Sequence, residues 1–137
     1  MFFYISRFMV ERPVVLIVDD EDICLTIAET MVSHIGLSVI TAGNGVEALE
    51  QYRLHDPQIA CVIMDIQMPR MNGIEAFYQL KKTYKDVKVI IASGHLGSAN
   101  RELLEPLQPA GILKKPFSFE ELSELLEKVT GIRKCPS

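Results

Sequence analysis

The chain has no tryptophan, three cysteines and only 7% aromatic residues. Cys24, Cys61 and Cys135 are an odd number, widely spaced and without a metal-ligand pattern, so neither a disulfide framework nor a zinc module organises the chain. Two of them fall in apolar stripes and are expected as reduced core thiols of a cytoplasmic protein; Cys135, near the end, is expected to be exposed and incidental. Positive charge is not in surplus either. With 14 Lys and Arg against 18 Asp and Glu, the net charge of −4 argues against sequence-independent binding to DNA or RNA, which relies on a basic surface. No apolar run approaches the length of a membrane span. Internal repeats, linkers and low-complexity blocks are missing as well, which leaves one domain.

What is present is a chain of 137 residues, 48% hydrophobic and 23% charged, the size and composition of a soluble globular unit with a full core. Residues 1–12 read as an N-terminal extension, 13–131 as the domain and 132–137 as a tail. The extension, Met1 to Val10, is apolar and aromatic. No basic residue precedes its apolar part, Arg7 interrupts it and no small-residue cleavage site follows, so it does not read as a signal peptide. A segment lying on the domain, a partner contact and a leader without structural role all fit it.

Pro13 to Val18 is an apolar, β-branched run ending in Asp19-Asp20-Glu21-Asp22. The following helix places Cys24, Ile27, Ala28, Met31 and Ile35 in one stripe, and Gly36 closes it. Ile23 and Leu25 lie off that stripe. Leu37 to Ala42 reads as a second strand, Gly43-Asn44-Gly45 as a turn, and Val46 to about Leu54 as a second helix before Pro57. Ile59 to Met64 is an apolar run with both faces covered, stopping at Asp65. A third helix starts near Gly73 and uses Ile74, Phe77 and Leu80. Val87 to Ala92 is a fourth strand, ending at Ser93-Gly94-His95. The fourth helix runs from near Ser98 and is short or broken at Pro106, which lacks the amide a helix interior needs. Gly111 to Lys114 is the fifth strand, followed by Lys115-Pro116-Phe117. Ser118 and Glu121 fit a capping box, and Leu122, Leu125, Leu126 and Val129 give the last helix its apolar face up to Gly131.

Five alternating βα units imply an α/β three-layer sandwich, a parallel sheet with helices on both sides. Right-handed crossovers favour the flavodoxin-like strand order 2-1-3-4-5. Strands one and three then flank the topological switch point, so Asp19 and Asp20 face Asp65 across a crevice while Ser93 and Lys115 border it. Each residue alone has an ordinary explanation. Asp65 can solvate a turn, Asp19 and Asp20 can suit a helix N-terminus, Ser93 can bond its own turn, and Lys114 and Lys115 can be solvated surface charges. Jointly, crowded carboxylates repel, and a hard divalent cation resolves the repulsion. Mg²⁺ takes oxygen ligands and typically one or two carboxylates plus phosphate oxygens. A lysine and a hydroxyl beside them complete a site for Mg²⁺ and a phosphoryl group, with Asp65 as a nucleophile able to form an aspartyl phosphate.

Val18-Asp19-Asp20, Met64-Asp65-Ile66-Gln67-Met68-Pro69, Ser93-Gly94 and Lys115-Pro116-Phe117 resemble the motifs of a two-component response regulator receiver domain over about residues 13 to 131. The resemblance implies transfer of phosphoryl to Asp65 from a phosphohistidine on a sensor histidine kinase or a histidine phosphotransfer protein. It implies Asp20 as direct metal ligand, Asp19 as its water-mediated helper and the Gln67 carbonyl as a further ligand. Lys115 would pair with the phosphoryl group, and Ser93 would move to bond one of its oxygens. The module would be no turnover enzyme, with weak self-catalysed phosphotransfer and autodephosphorylation, and would act as a monomer or weak dimer.

Two positions stand out against that family. Three residues before the lysine it often has Tyr or Phe, a ring that turns inward on activation; here the position is Ile112, so the expectation is output through the Ser93-Gly94 loop and the fourth helix. Gln67 and His95 occupy positions bordering the attacking water and are expected to tune phosphate lifetime, although His95 also fits an exposed turn residue. The apolar excess at Ile23 and Leu25 beside Pro116-Phe117 suggests docking of a helical bundle, or burial under the N-terminal segment. A Mg²⁺-dependent aspartyl-phosphate phosphatase acting on a small substrate is the competing function. Phosphatases resembling the haloacid dehalogenase family carry Asp-x-Asp, however, and here Gln67 holds the second position with no cap insertion. A flavin binder would need a glycine- or hydroxyl-rich phosphate loop after strand one, which is not there. The Ser-Gly-His and Lys-Lys-Pro-Phe wording is also similar to receivers on hybrid sensor kinases, so a freestanding regulator and a piece of a longer protein both stay open.

Overall fold

A computed structural model describes residues 2–5, 8–11 and 13–132. Near the N-terminus, β1 (Phe2–Ile5) and β2 (Phe8–Glu11) pair antiparallel as a two-stranded sheet of their own. The domain proper is a parallel sheet of five strands: β3 (Val14–Val18), β4 (Ser38–Ala42), β5 (Ile59–Asp65), β6 (Val89–Ser93) and β7 (Gly111–Lys114). Their spatial order is β4-β3-β5-β6-β7, which is the order 2-1-3-4-5 expected from the alternation of strand and helix runs.

The three central strands, β3, β5 and β6, read as apolar runs because helices cover both sides of the sheet. Residues alternate between the faces. Leu16, Val18, Val62, Met64 and Ile91 face a core completed by α2 (Gly45–His55), α3 (Gly73–Thr83) and α4 (Ser98–Leu104), through Ala48, Tyr52, Phe77, Leu80 and Leu104. Val15, Ile17, Ile63, Ile90 and Leu113 face α1 (Asp22–Ile35) and α5 (Phe119–Thr130), through Ala28, Val32, Ile35, Leu122 and Leu126. Cys61 is buried in this second core and burial pushes its thiol up to about 12, while half-buried Cys24 is also free and raised by burial. Both therefore stay protonated near neutrality. Cys135 lies outside the described residues.

The capping box expected at Ser118 and Glu121 is formed, and α4 gives way at Glu105–Leu107 to a 3-10 turn containing Pro106. The expected apolar stripe of α1 needs correction. Ala28, Val32 and Ile35 are buried, spaced i, i+4 and i+7 on one face, whereas Ile27 is 50% exposed. Leu25 packs against the α1–α5 core instead of standing clear of it, and Ile23, at 75% exposure, is left with Ile27 on the open side. Strand four begins at Val89, two residues later than the apolar run suggests. Among the described residues no helix is long and apolar enough to cross a membrane.

Candidate functional site

Parallel strands put their carboxyl ends at one edge, and four of the five end in a chemically useful residue. Asp19 follows β3 directly, held by its N–H donating to the Ala42 carbonyl of β4 at 3.1 Å. Asp65 is the last residue of β5 and Ser93 the last of β6. Lys115 follows β7, and its N–H donates to the Ser93 carbonyl at 2.9 Å. Backbone hydrogen bonds thus fix the spacing of these side chains before the side chains interact.

Asp19, Asp20 and Asp65 each present a carboxylate oxygen, and the three oxygens lie within 4.8 Å of one another. Lys115 enters from the side, its Nζ donating to Asp19 Oδ2 at 2.6 Å and standing 3.5 Å from Asp65 Oδ1. Asp19 is buried, and its Oδ1 also accepts the Glu21 N–H at 3.0 Å. Asp65 Oδ1 accepts the Ile66 N–H at 2.9 Å; no hydrogen bond is made to its other oxygen among the described residues. Asp20 is exposed. Burial pushes the Asp65 carboxyl above its ordinary range; the Lys115 charge pulls it down, and the Asp19 charge pushes it up again. For Lys115 burial acts downward, but its hydrogen bond to Asp19 and the two carboxylate charges leave it raised. The cluster holds three carboxylates against one ammonium. A hard oxygen-ligated dication fits that donor set.

The structure therefore gathers Asp19, Asp20, Asp65 and Lys115. Ser93 is buried beside them but bonded elsewhere: its Oγ donates to the His95 carbonyl at 2.9 Å and accepts the His95 N–H at 3.2 Å. Gln67 and His95 are exposed, Gln67 two residues beyond Asp65 on the loop to α3. Sequence reasoning did not find the two glycines that let this loop lie where it does. A Cβ on Gly73 would run into the Asp65 carbonyl oxygen, and one on Gly45 would stand 2.5 Å from the Met71 carbonyl oxygen. Their only sequence signals are the turn at Gly43-Asn44-Gly45 and the helix start near Gly73. It also did not find a cavity of about 270 Å³ beside Asp19 and Lys115, lined by Cys24, Ile27, Pro116 and Phe117.

The raised Asp65 pKa has a consequence for stability. A carboxyl whose folded pKa exceeds its unfolded one favours the fold below the unfolded value, about 3.9, and loses that contribution as pH rises through the folded value. In metal-free buffer, Asp65→Asn is expected to raise the Tm at pH 7 and to leave it unchanged below about pH 3.9. Thermal melts across that range check it; an Asn variant less stable than wild type at pH 7 contradicts it.

Comparison with known proteins agrees with this geometry. The response regulator receiver domain model matches residues 15–127. The sensor kinase CckA of Brucella abortus is 36% identical over 118 residues, covering 83% of this chain and 12% of that protein. The autoinducer 1 sensor kinase/phosphatase LuxN of Vibrio campbellii is 28% identical over 116 residues, covering 85% and 13%. The chain thus spans about an eighth of the length of these two relatives. Among solved structures, response regulator protein TrrA of Thermotoga maritima, in complex with Mg²⁺ and BeF, is 31% identical with a TM-score of 0.76 over 85% of this chain and 98% of that one. Family match, strand order and acidic edge converge: the chain belongs to the response regulator receiver domain family of two-component signalling.

Proposed function

We propose that Asp65 is the phosphoacceptor and that it takes phosphoryl from a phosphohistidine. The observation that carries this is the asymmetry of its carboxylate: one oxygen is occupied by the Ile66 N–H and faces Lys115, while the other carries no hydrogen bond among the described residues and is free to attack. Attack forms an oxygen–phosphorus bond and breaks the phosphorus–nitrogen bond, and the imidazole nitrogen keeps that electron pair and takes up a proton. Asp19, Asp20 and Asp65, with the Gln67 carbonyl, would hold Mg²⁺. Once bound, the ion supplies charge neutralisation for the phosphoryl oxygens. Lys115 already lies between two carboxylates and offers the incoming group a fixed positive charge. Ser93 would exchange its bonds to His95 for one to a phosphoryl oxygen, as the family resemblance implies. Gln67 and His95, both exposed at the rim, would set how fast water removes the group. The domain acts as a signalling module and turns over no separate substrate.

The donor would be a sensor histidine kinase or a histidine phosphotransfer protein, in keeping with the sensor kinases among the relatives. Ile27 lines the Pro116-Phe117 cavity beside Asp19 and Lys115, and Ile23, one turn away on α1, is exposed as well; the two offer a helical partner an apolar surface. Leu25, half-buried against the core, is not part of that surface. Binding of nucleic acid is not expected at a net charge of −4.

Output would run through the loop after β6. Ile112 is 46% exposed on β7, and an aliphatic side chain at the surface has little contact energy to exchange between states. The Ser93–His95 bonds and the α4 that follows them are the parts left to change.

Three measurements test this reading. Incubation with Mg²⁺ and acetyl phosphate is expected to add the mass of one phosphoryl group to the wild type and none to Asp65→Asn, by intact mass spectrometry; equal labelling of both removes Asp65 from the role. Ile23→Glu combined with Ile27→Glu should slow transfer from a phosphohistidine protein about tenfold, the loss of a modest interface contact, while sparing acetyl phosphate. Equal losses with both donors would assign these residues to folding instead. On phosphorylation, amide NMR shifts from Gly94 to Leu107 should move more than those around Ile112, and an unchanged Gly94–Leu107 segment rejects the proposed output route.

A further inference from the structure

The loop from Asp65 to α3 is held more tightly than a connector needs. The Met71 N–H donates to the Pro69 carbonyl at 2.8 Å, closing a three-residue turn around Arg70, whose φ of 69° lies in the left-handed region. A side-chain-bearing residue persists there where its surroundings over-determine it. Two anchors do so. Within the loop, the Gly73 N–H donates to the Ile66 carbonyl at 2.8 Å. From a different part of the chain, Gly45 at the start of α2 donates its N–H to the Met71 carbonyl at 3.0 Å.

No side chain fits at that second anchor. A Cβ on Gly45 would stand 2.5 Å from Met71 O, 2.7 Å from Met71 Cγ and 2.8 Å from Met71 Cβ. The start of α2 is itself fixed: Asn44, only 8% exposed, accepts the Glu47 N–H at 2.9 Å, and the Glu47 carboxylate accepts the Gly43 N–H at 2.5 Å. Gly43-Asn44-Gly45 is thus more than a surface turn. It is a rigid buttress set against the loop that carries Gln67.

We infer that Gly45 is a positioning residue for the cation site: its N–H and its missing Cβ hold Met71, and through the Pro69–Met71 turn they fix where the Gln67 carbonyl stands relative to Asp65. The inference rests on the Mg²⁺-dependent phosphoacceptor reading and adds to it a residue that never touches the ion. It makes a cation-specific claim. Mg²⁺ demands near-ideal octahedral geometry, whereas Ca²⁺ accepts varied ligand numbers and distances, so a displaced carbonyl penalises Mg²⁺ more.

The test is an NMR titration of the full chain with Mg²⁺ and, separately, Ca²⁺. In Gly45→Ala the half-saturating Mg²⁺ concentration is expected to rise about tenfold, as for other residues that orient ligands from behind, with a smaller rise for Ca²⁺. A folded Gly45→Ala with the wild-type Mg²⁺ value, or with equal losses for both ions, overturns the inference. If Gly45→Ala does not fold, Asn44 decides: Asn44→Ala frees the first turn of α2 and should weaken Mg²⁺ binding, while Asn44→Asp keeps the capping oxygen and should restore it. Identical Mg²⁺ values for those two variants also overturn it. A wild type that shows no Mg²⁺-dependent shifts sinks the phosphoacceptor reading itself, and a wild type that binds while the variants match it sinks the positioning role alone.

Discussion

A single ammonium group between two buried or half-buried carboxylates is the constraint to which the rest of the structure answers. Lys115 reaches Asp19 at 2.6 Å and Asp65 at 3.5 Å across two different strand ends. Three carboxylate oxygens within 4.8 Å share that one positive charge, so the cluster carries an excess of negative charge in a partly desolvated place. A fold selected for stability alone gains little from such an arrangement, since ion pairs out of water return at best their own desolvation cost. The arrangement persists because the sheet enforces it. β3, β5, β6 and β7 are hydrogen-bonded in register, and their carboxyl ends cannot separate without breaking the apolar core beneath.

That dependence explains which parts of the molecule are legible in its sequence. The runs Pro13–Val18 and Ile59–Met64 are apolar because both faces are covered, and they stop where the sheet meets water, so Asp19 and Asp65 are marked by the abrupt change from apolar to charged. Strand order follows from the handedness of the crossovers, and the convergence of Asp19, Asp20, Asp65 and Lys115 follows from strand order. The rotation of α1 does not follow. Ile27 and Val32 are equally apolar and both fit a helical stripe, and only packing against β3 and α5 buries Val32 and leaves Ile27 half exposed. The Ser93–His95 bonds and the Gly45–Met71 approach are equally silent in the sequence. They depend on backbone conformation within a loop and on contact between elements far apart in the chain.

The helices differ in how firmly they are tied down, and the difference is directional. α2, α3 and α5 each start with a side-chain cap, from Asn44, Asn72 and Ser118. α1 and α4 start without one, but α1 runs for 14 residues, whereas α4 runs for seven and passes into a 3-10 turn at Pro106. So short a helix has little intrinsic stability and leans on tertiary contacts, here through buried Leu104. It is also the helix that follows Ser93, whose hydroxyl is spent on its own loop and not on the carboxylates beside it. The two sides of the acidic edge therefore differ in how tightly they are held. On the Asp65–Gly73 side, backbone contacts from Gly45 and Gly73 leave no room for a methyl group, which keeps oxygen positions fixed. On the Ser93 side the side chain is held by two hydrogen bonds within one loop, and the short helix that follows has no side-chain cap; local openings in proteins are drawn from segments with few such restraints. A change of charge at Asp65 thus meets a rigid wall in one direction and a yielding one in the other.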